Sequence, residues 1–152
     1  MAELARGAAL LVGALLVAGC SGAVAGTAVP IRLSDSDRGL VRNYFDDLNS
    51  AGEQGVEKQH ALLEETQHPD YRDSGCRPPA GTITYRPAMG TLRLDNEWAP
   101  ADGDEAHPRG VVLVVAVTIT VHRDGVEVGS QIGSQHVVLL NGRAYGFAPC
   151  AA

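Results

Sequence analysis

Hydrophobic positions along the chain follow a helical spacing in the first half and an alternating one in the second. Leu40, Val41, Tyr44, Phe45 and Leu48 recur at one, four and five residues, which is a single helical stripe. Ser34 and Ser36 are candidate N-caps for that helix, and Asp35 and Asp37 suit the positive end of its dipole. Asn49-Ser50-Ala51-Gly52 is expected to end it. A second helix is predicted over Glu53–Thr66, with Val56, His60 and Leu63 on one face and Leu62 widening it. His68-Pro69 should stop it.

From Gly81 the period drops to two. Thr82–Arg86 reads as a short strand with Ile83 and Tyr85 on one side, and Thr91–Trp98 as another with Leu92 and Leu94 on one side. Ala99–Gly110 is a loop rich in Pro, Gly and acid. Val111–Arg123 is a long strand dominated by β-branched residues. Asp124-Gly125 is a two-residue hairpin turn, Val126–Leu140 the returning strand, Asn141-Gly142 a second such turn, and Arg143–Phe147 the last strand. The result is a three-stranded meander.

Counting outward from the turns gives a register. Arg123 faces Val126, so Val121 faces Val128, Val117 faces Ile132 and Leu113 faces His136. Past the second turn, Leu140 faces Arg143, Val138 faces Tyr145 and His136 faces Phe147. One face then collects Leu113, Val115, Val117, Ile119, Val121, Ile132, Val138, Tyr145 and Phe147, and the helices should cover it. The other collects Thr118, Thr120, Gly129, Gln131, Gly133 and Gln135. A bulge near Gly129 or Gly133 would shift this register by one residue.

The N-terminus carries an address. Gly7 to Val17 is an apolar run, short of the about 20 residues a membrane-spanning helix needs, and it suits the h-region of a secretory signal. Arg6 is the only basic residue before it, offset by Glu3. The run Leu16-Val17-Ala18-Gly19-Cys20 resembles a bacterial lipoprotein signal. That resemblance implies a diacylglycerol (palmitate-type) anchor on the Cys20 thiol and removal of residues 1–19. Ser21–Val29 then reads as a flexible tether, so residues 20–30 are anchor and linker. The protein is expected on the outer face of the cell membrane, bound through the lipid on Cys20. About 130 residues remain after cleavage, one domain by the usual size prior. It is assigned to residues 31–152.

Charge and cysteines narrow the function classes. The net charge is −6, and no basic stripe is present, which argues against nucleic acid as a partner. In an oxidising compartment, Cys76 and Cys150 are expected to pair. The bridge would close a loop of about 75 residues, worth roughly 4 kcal/mol by chain entropy. Two free thiols or a metal pair are the alternatives, but neither cysteine has C-x-x-C spacing or a neighbouring histidine.

Helices followed by a bent antiparallel sheet make an α+β pattern. The run Tyr44-Phe45-x-x-Leu48-Asn49 and the long C-terminal hairpin resemble the nuclear-transport-factor-2-like superfamily. Lys58 is the only lysine among 12 basic residues, a composition typical of GC-rich genomes. With the lipobox, a Cys after helix two and a Cys at the end, the chain is similar to actinobacterial lipoproteins of that shape. The resemblance implies two N-terminal helices packed on a curved antiparallel sheet as a cone with a pocket. A third helix, common there, could come here only from Pro69 to Ser74. Some members are isomerases, cyclases or dehydratases; many only bind or dimerise.

His136, between Leu113 and Phe147 on the expected apolar face, is the best pocket candidate. A catalytic base needs an orienting carboxylate, and no Asp or Glu falls on that face of the meander, so a hydrogen-bonded interior histidine is expected. Tyr85, Tyr145 and Trp98, with Phe147, are candidate cavity linings as well as plain core residues. Asp102, Asp104, Glu105 and His107 form an oxygen-rich cluster without the spacing of a calcium loop, and are expected to be solvated. Ser130 and Ser134 lie in the near-repeat Gly129-Ser130-Gln131-Ile132-Gly133-Ser134-Gln135, which is no nucleophile elbow. Its glycines suit sheet bending. No catalytic residue, metal or cofactor is assigned. The expected function is non-catalytic binding of a small apolar molecule or an envelope protein. The alternatives are an isomerase- or dehydratase-like enzyme and a structural or homodimerising envelope component.

Overall fold

In the computed structural model, residues 33–72, 78, 80–100 and 107–147 are described. The signal segment, Cys20 and its tether, Cys76, Cys150, Asp102, Asp104 and Glu105 lie outside them. Helix α1 spans Asp35–Gln54. The Ser34 hydroxyl accepts from the Asp37 N–H at 3.1 Å, and the Asp37 carboxylate accepts from the Ser34 N–H at 3.3 Å. This reciprocal box satisfies donors that the first turn leaves open.

The expected stop at Asn49-Ser50-Ala51-Gly52 is passed; α1 ends at Gly55, with φ 120°. Two tertiary contacts account for this. Asn49 spends its amide on the backbone of Tyr85 instead of on its own turn. Gly52 lies so close to Gln59 that a Cβ there would sit 2.6 Å from its Nε2. This glycine admits a neighbour rather than breaking a helix.

Helix α2 spans Val56–Glu65. Its buried positions are Gln59 and Leu63, whereas Val56 is 39% exposed, so its inward face is rotated from the one expected. Of the stretch Pro69 to Ser74, the described residues form a 3₁₀ turn, Pro69–Tyr71, and Asp73 and Ser74 lie outside them.

The sheet is antiparallel, curved and five-stranded, in the order β1-β3-β4-β5, with β2 on the same side of β3 as β1. Strand β1 is Thr82–Pro87, β2 Arg93–Leu94, β3 Val111–Arg123, β4 Val126–Leu140 and β5 Arg143–Gly146. The expected strand Thr91–Trp98 contracts to β2 because Met89–Thr91 forms a 3₁₀ turn. There the Thr91 hydroxyl accepts from the Ala116 N–H at 2.9 Å, replacing a strand carbonyl. Both hairpin turns adopt positive φ: Asp124 at 50° and Gly125 at 78°, Asn141 at 52° and Gly142 at 75°. Those values fit the primed turns that suit twisted strands.

The β3–β4 register departs from the expected one. Arg123 pairs with Val126 and His122 with Glu127, but Val121 pairs with Gly129. Val128 is the extra residue of a bulge. Beyond it Val117 pairs with Gly133 and Leu113 with Val137. Because side chains alternate across a sheet, one inserted residue exchanges the faces of all that follows. Val137 and Leu139 therefore face the helices, in the core of Val41, Phe45, Leu48, Leu63, Ile83, Tyr85, Leu113, Val115, Val117 and Ile119. Gly129, Gln131, Gly133 and Gln135 share their face. Ile132, His136, Val138 and Tyr145 lie on the opposite, outer face with Val112 and Val114.

Candidate functional site

The outer face carries the polar and aromatic groups that the bulge redirects. Asp95 directly follows β2, and its N–H donates to the Val112 carbonyl at 2.9 Å. That bond continues the β2 ladder and points the carboxylate across β3 toward β4. His136 pairs with Val114 on the far side of β3. The two meet, His136 Nε2 to Asp95 Oδ2, at 2.9 Å. The chain then turns back, Trp98 N–H to the Asp95 carbonyl at 3.1 Å. This lays the indole flat on the imidazole, with centroids 3.9 Å apart and planes 10° from parallel.

A run of rings extends from there. Trp98 meets Phe147 edge-on at 4.7 Å, and Phe147 stacks on His68 at 5.8 Å and 11°. Tyr71 and Tyr145 flank His68 at 5.5 and 6.2 Å. His68 is fully buried. Its Nδ1 accepts from the Asp70 N–H at 3.2 Å, so Nε2 carries the hydrogen and donates to the Arg109 carbonyl at 2.9 Å. The Arg109 guanidinium grips Asp70 with a fork, its Nε reaching the two oxygens at 3.0 and 3.2 Å. That pairing holds the Asp70 carboxyl below the usual carboxylate range.

Of the pocket residues expected from the sequence, His136, Trp98, Phe147 and Tyr145 come together here, although on the outer face. Tyr85 does not join them. It packs among core residues on the helix face, its ring 5.8 Å from Phe45, and burial raises its phenol pKa. His136 is half-buried on the outer face, and it has the carboxylate partner that no residue of the last three strands supplies. No sequence pattern marks Asp95, His68 or Tyr71 as members of this cluster. Asp95 lies inside the strand expected over Thr91–Trp98, but its meeting with His136 depends on how β2 pairs with β3 and β3 with β4, which the alternation of Leu92 and Leu94 does not mark.

A second, open cleft of about 370 Å³ lies between α1, α2 and the β4–β5 turn, with Tyr44, Asp47, Glu65, Thr66 and Arg143 among its lining residues. Burial raises the Tyr44 phenol, partly offset by its hydrogen bond with Thr66. Arg143 and Glu65 pair across the cleft at 3.6 Å.

Among the described residues, no three or more His, Cys, Asp or Glu side chains are placed to hold a metal. No helix among them is long and apolar enough to cross a membrane. Chemically, the His136–Asp95 pair can hold and relay a proton, and the ring cluster offers flat apolar surface with polar edges. The chain matches no protein-family model, no curated protein and no solved structure.

Proposed function

We propose that the protein is an exported lipoprotein, anchored by lipid on Cys20, whose domain binds a partner in the cell envelope and does not catalyse. What supports the anchor is the apolar run closed by Leu16-Val17-Ala18-Gly19-Cys20. The finer shape is a nuclear-transport-factor-2-like cone ending in a three-stranded meander. Its support is the order of two helices before a curved antiparallel sheet.

The observation that carries the binding reading is where open surface remains. Between α1 and the centre of the sheet the space is taken by Phe45, Tyr85, Leu63 and Leu113, and the cleft beside the β4–β5 turn is open and carries Asp47, Glu65 and Arg143. The filled interior and charged cleft favour a protein partner over a small apolar ligand held inside the cone. On the outer face Trp98, Phe147 and Tyr71 stay half-buried and adjacent, and such aromatic groups dominate protein interfaces. A photo-crosslinking residue at position 98 should trap an envelope protein in intact cells, and one at exposed Gln54 should not. A co-purifying metabolite with no adduct at position 98 would overturn the protein-partner assignment. Cys20→Ala should release the protein from membranes; unchanged retention would remove the anchor.

The His136–Asp95 contact favours a second reading, an isomerase- or dehydratase-like enzyme. Asp95→Asn separates the two. Retained crosslinking at position 98 supports binding, whereas a cellular conversion lost in this folded variant supports catalysis.

A further inference from the structure

The two long edges of the sheet are treated differently. On β1, Ile83 and Tyr85 turn their backbone groups away from β3, and side-chain amides meet them. Gln59 Oε1 accepts from the Ile83 N–H at 2.7 Å while its Nε2 donates to the Ile83 carbonyl at 2.6 Å. Asn49 does the same for Tyr85, at 2.7 and 2.8 Å. Two amides thus stand in for a missing strand.

Among the described residues the β4 edge has no such cover. Strand β5 pairs only with Val137–Leu140, and the bulge at Val128 bounds the other end. Between them Gly129–Gln135 has no strand partner on its outer side among the described residues. Native edges are usually blunted by lysine, proline or inward charge. This stretch contains no charge and no proline, and Ile132 is 82% exposed.

The phase of the free backbone groups follows from β3. The Asp95 N–H reaches the Val112 carbonyl and the Ala88 N–H reaches that of Ala116. Even-numbered β3 residues therefore point toward β1 and β2, and odd-numbered ones toward β4. By the antiparallel alternation, Gly129, Gln131, Gly133 and Gln135 spend their backbone groups on β3. Ser130, Ile132 and Ser134 present theirs outward.

We infer that two copies of this chain associate edge to edge through β4, antiparallel, about a two-fold axis at Ile132. In that register Ile132 meets Ile132 and Ser130 meets Ser134. Each of these pairs exchanges both N–H···O bonds, the outward residues matching in phase. On the other face every glutamine falls opposite a glycine, Gln131 against Gly133 and Gln135 against Gly129. The near-repeat of the segment produces this fit; sliding one copy by two residues sets Ile132 against serine. The contact is isologous, so it closes at two copies, and the two sheets become one. It uses neither the ring cluster nor the lipid anchor.

Cysteine crosslinking of the purified full chain tests the geometry. A directly opposed pair has Cα atoms about 5.5 Å apart, within disulfide reach. Ile132→Cys should give an oxidised dimer well above the wild-type background. Ser130→Cys alone should not, but mixing it with Ser134→Cys should restore crosslinking. Ile132→Lys, at an exposed site that leaves the fold intact, should abolish association in sedimentation runs. Equal crosslinking by Ile132→Cys and Ser130→Cys, dimers surviving Ile132→Lys, or no dimer with Ile132→Cys would each overturn the pairing.

Discussion

Gln59→Leu is the substitution from which most can be learned. The side chain is fully buried. Its amide bonds the Ile83 N–H at 2.7 Å, the Ile83 carbonyl at 2.6 Å and the Leu48 carbonyl at 2.9 Å. Leucine keeps the approximate volume and supplies none of these bonds. Leu48 lies inside α1, so its carbonyl retains a helical partner. The two groups of Ile83 are orphaned. Each unsatisfied buried group costs about 1–3 kcal/mol, and the added apolar burial returns about 1 kcal/mol. The expected net loss is about 1–5 kcal/mol, against total stabilities of about 5–15 kcal/mol. Urea unfolding followed by the single tryptophan, Trp98, should show a lowered midpoint with an unchanged slope. At slopes of about 1–3 kcal/mol/M, a mid-range loss of about 3 kcal/mol lowers the midpoint by roughly 1–3 M. Gln54→Leu is the control, since Gln54 makes its one side-chain bond, to the Ser50 carbonyl, at the exposed surface. If the two variants lose the same stability, or if the Ile83 amide keeps its hydrogen-exchange protection in Gln59→Leu, the account of this edge is wrong.

Three further outcomes are expected. Ser34→Ala removes the α1 capping box and should cost about 1 kcal/mol, with the loss in circular dichroism confined to the helical signal at mild denaturant. Gly146→Ala would drive a Cβ into the Tyr44 hydroxyl and should cost about 1–3 kcal/mol as overpacking; Tyr44→Phe should recover part of this in a double-mutant cycle on thermal stability. Asp70 has a folded-state pKa below its unfolded value of about 3.9. Its contribution is therefore complete above that pH and disappears as pH falls through the folded value. Stability measured against pH should lose part of its acid-side fall in Asp70→Asn; an unchanged acid limb would show the Arg109 pairing to be inert.

Local chemistry was enough for much of the fold. Ser34 and Ser36, with Asp35 and Asp37 beside them, announce the start of α1 because short polar side chains cap an open first turn and carboxylates suit its dipole; the structure selects Ser34 as the cap. The bounds of β3 and β4, and the turns at Asp124-Gly125 and Asn141-Gly142, follow from β-branched runs interrupted by residues that tolerate positive φ. Ile83 and Tyr85 fall on the buried face of β1 as their alternation requires.

What needed the assembled structure was everything that depends on distant partners. Val137-Val138-Leu139-Leu140 is apolar on both faces, so hydrophobicity could not select a register for β4. Packing against α1 and β3 selected it through one extra residue at Val128, and that residue sent His136 to the outer face. The encounter of His136 with Asp95 and Trp98, and of Gln59 and Asn49 with the edge of β1, joins segments separated by 24 to 41 residues. Such pairings leave no periodic trace, because a polar side chain obtains its partner from the tertiary fold and not from its neighbours in sequence.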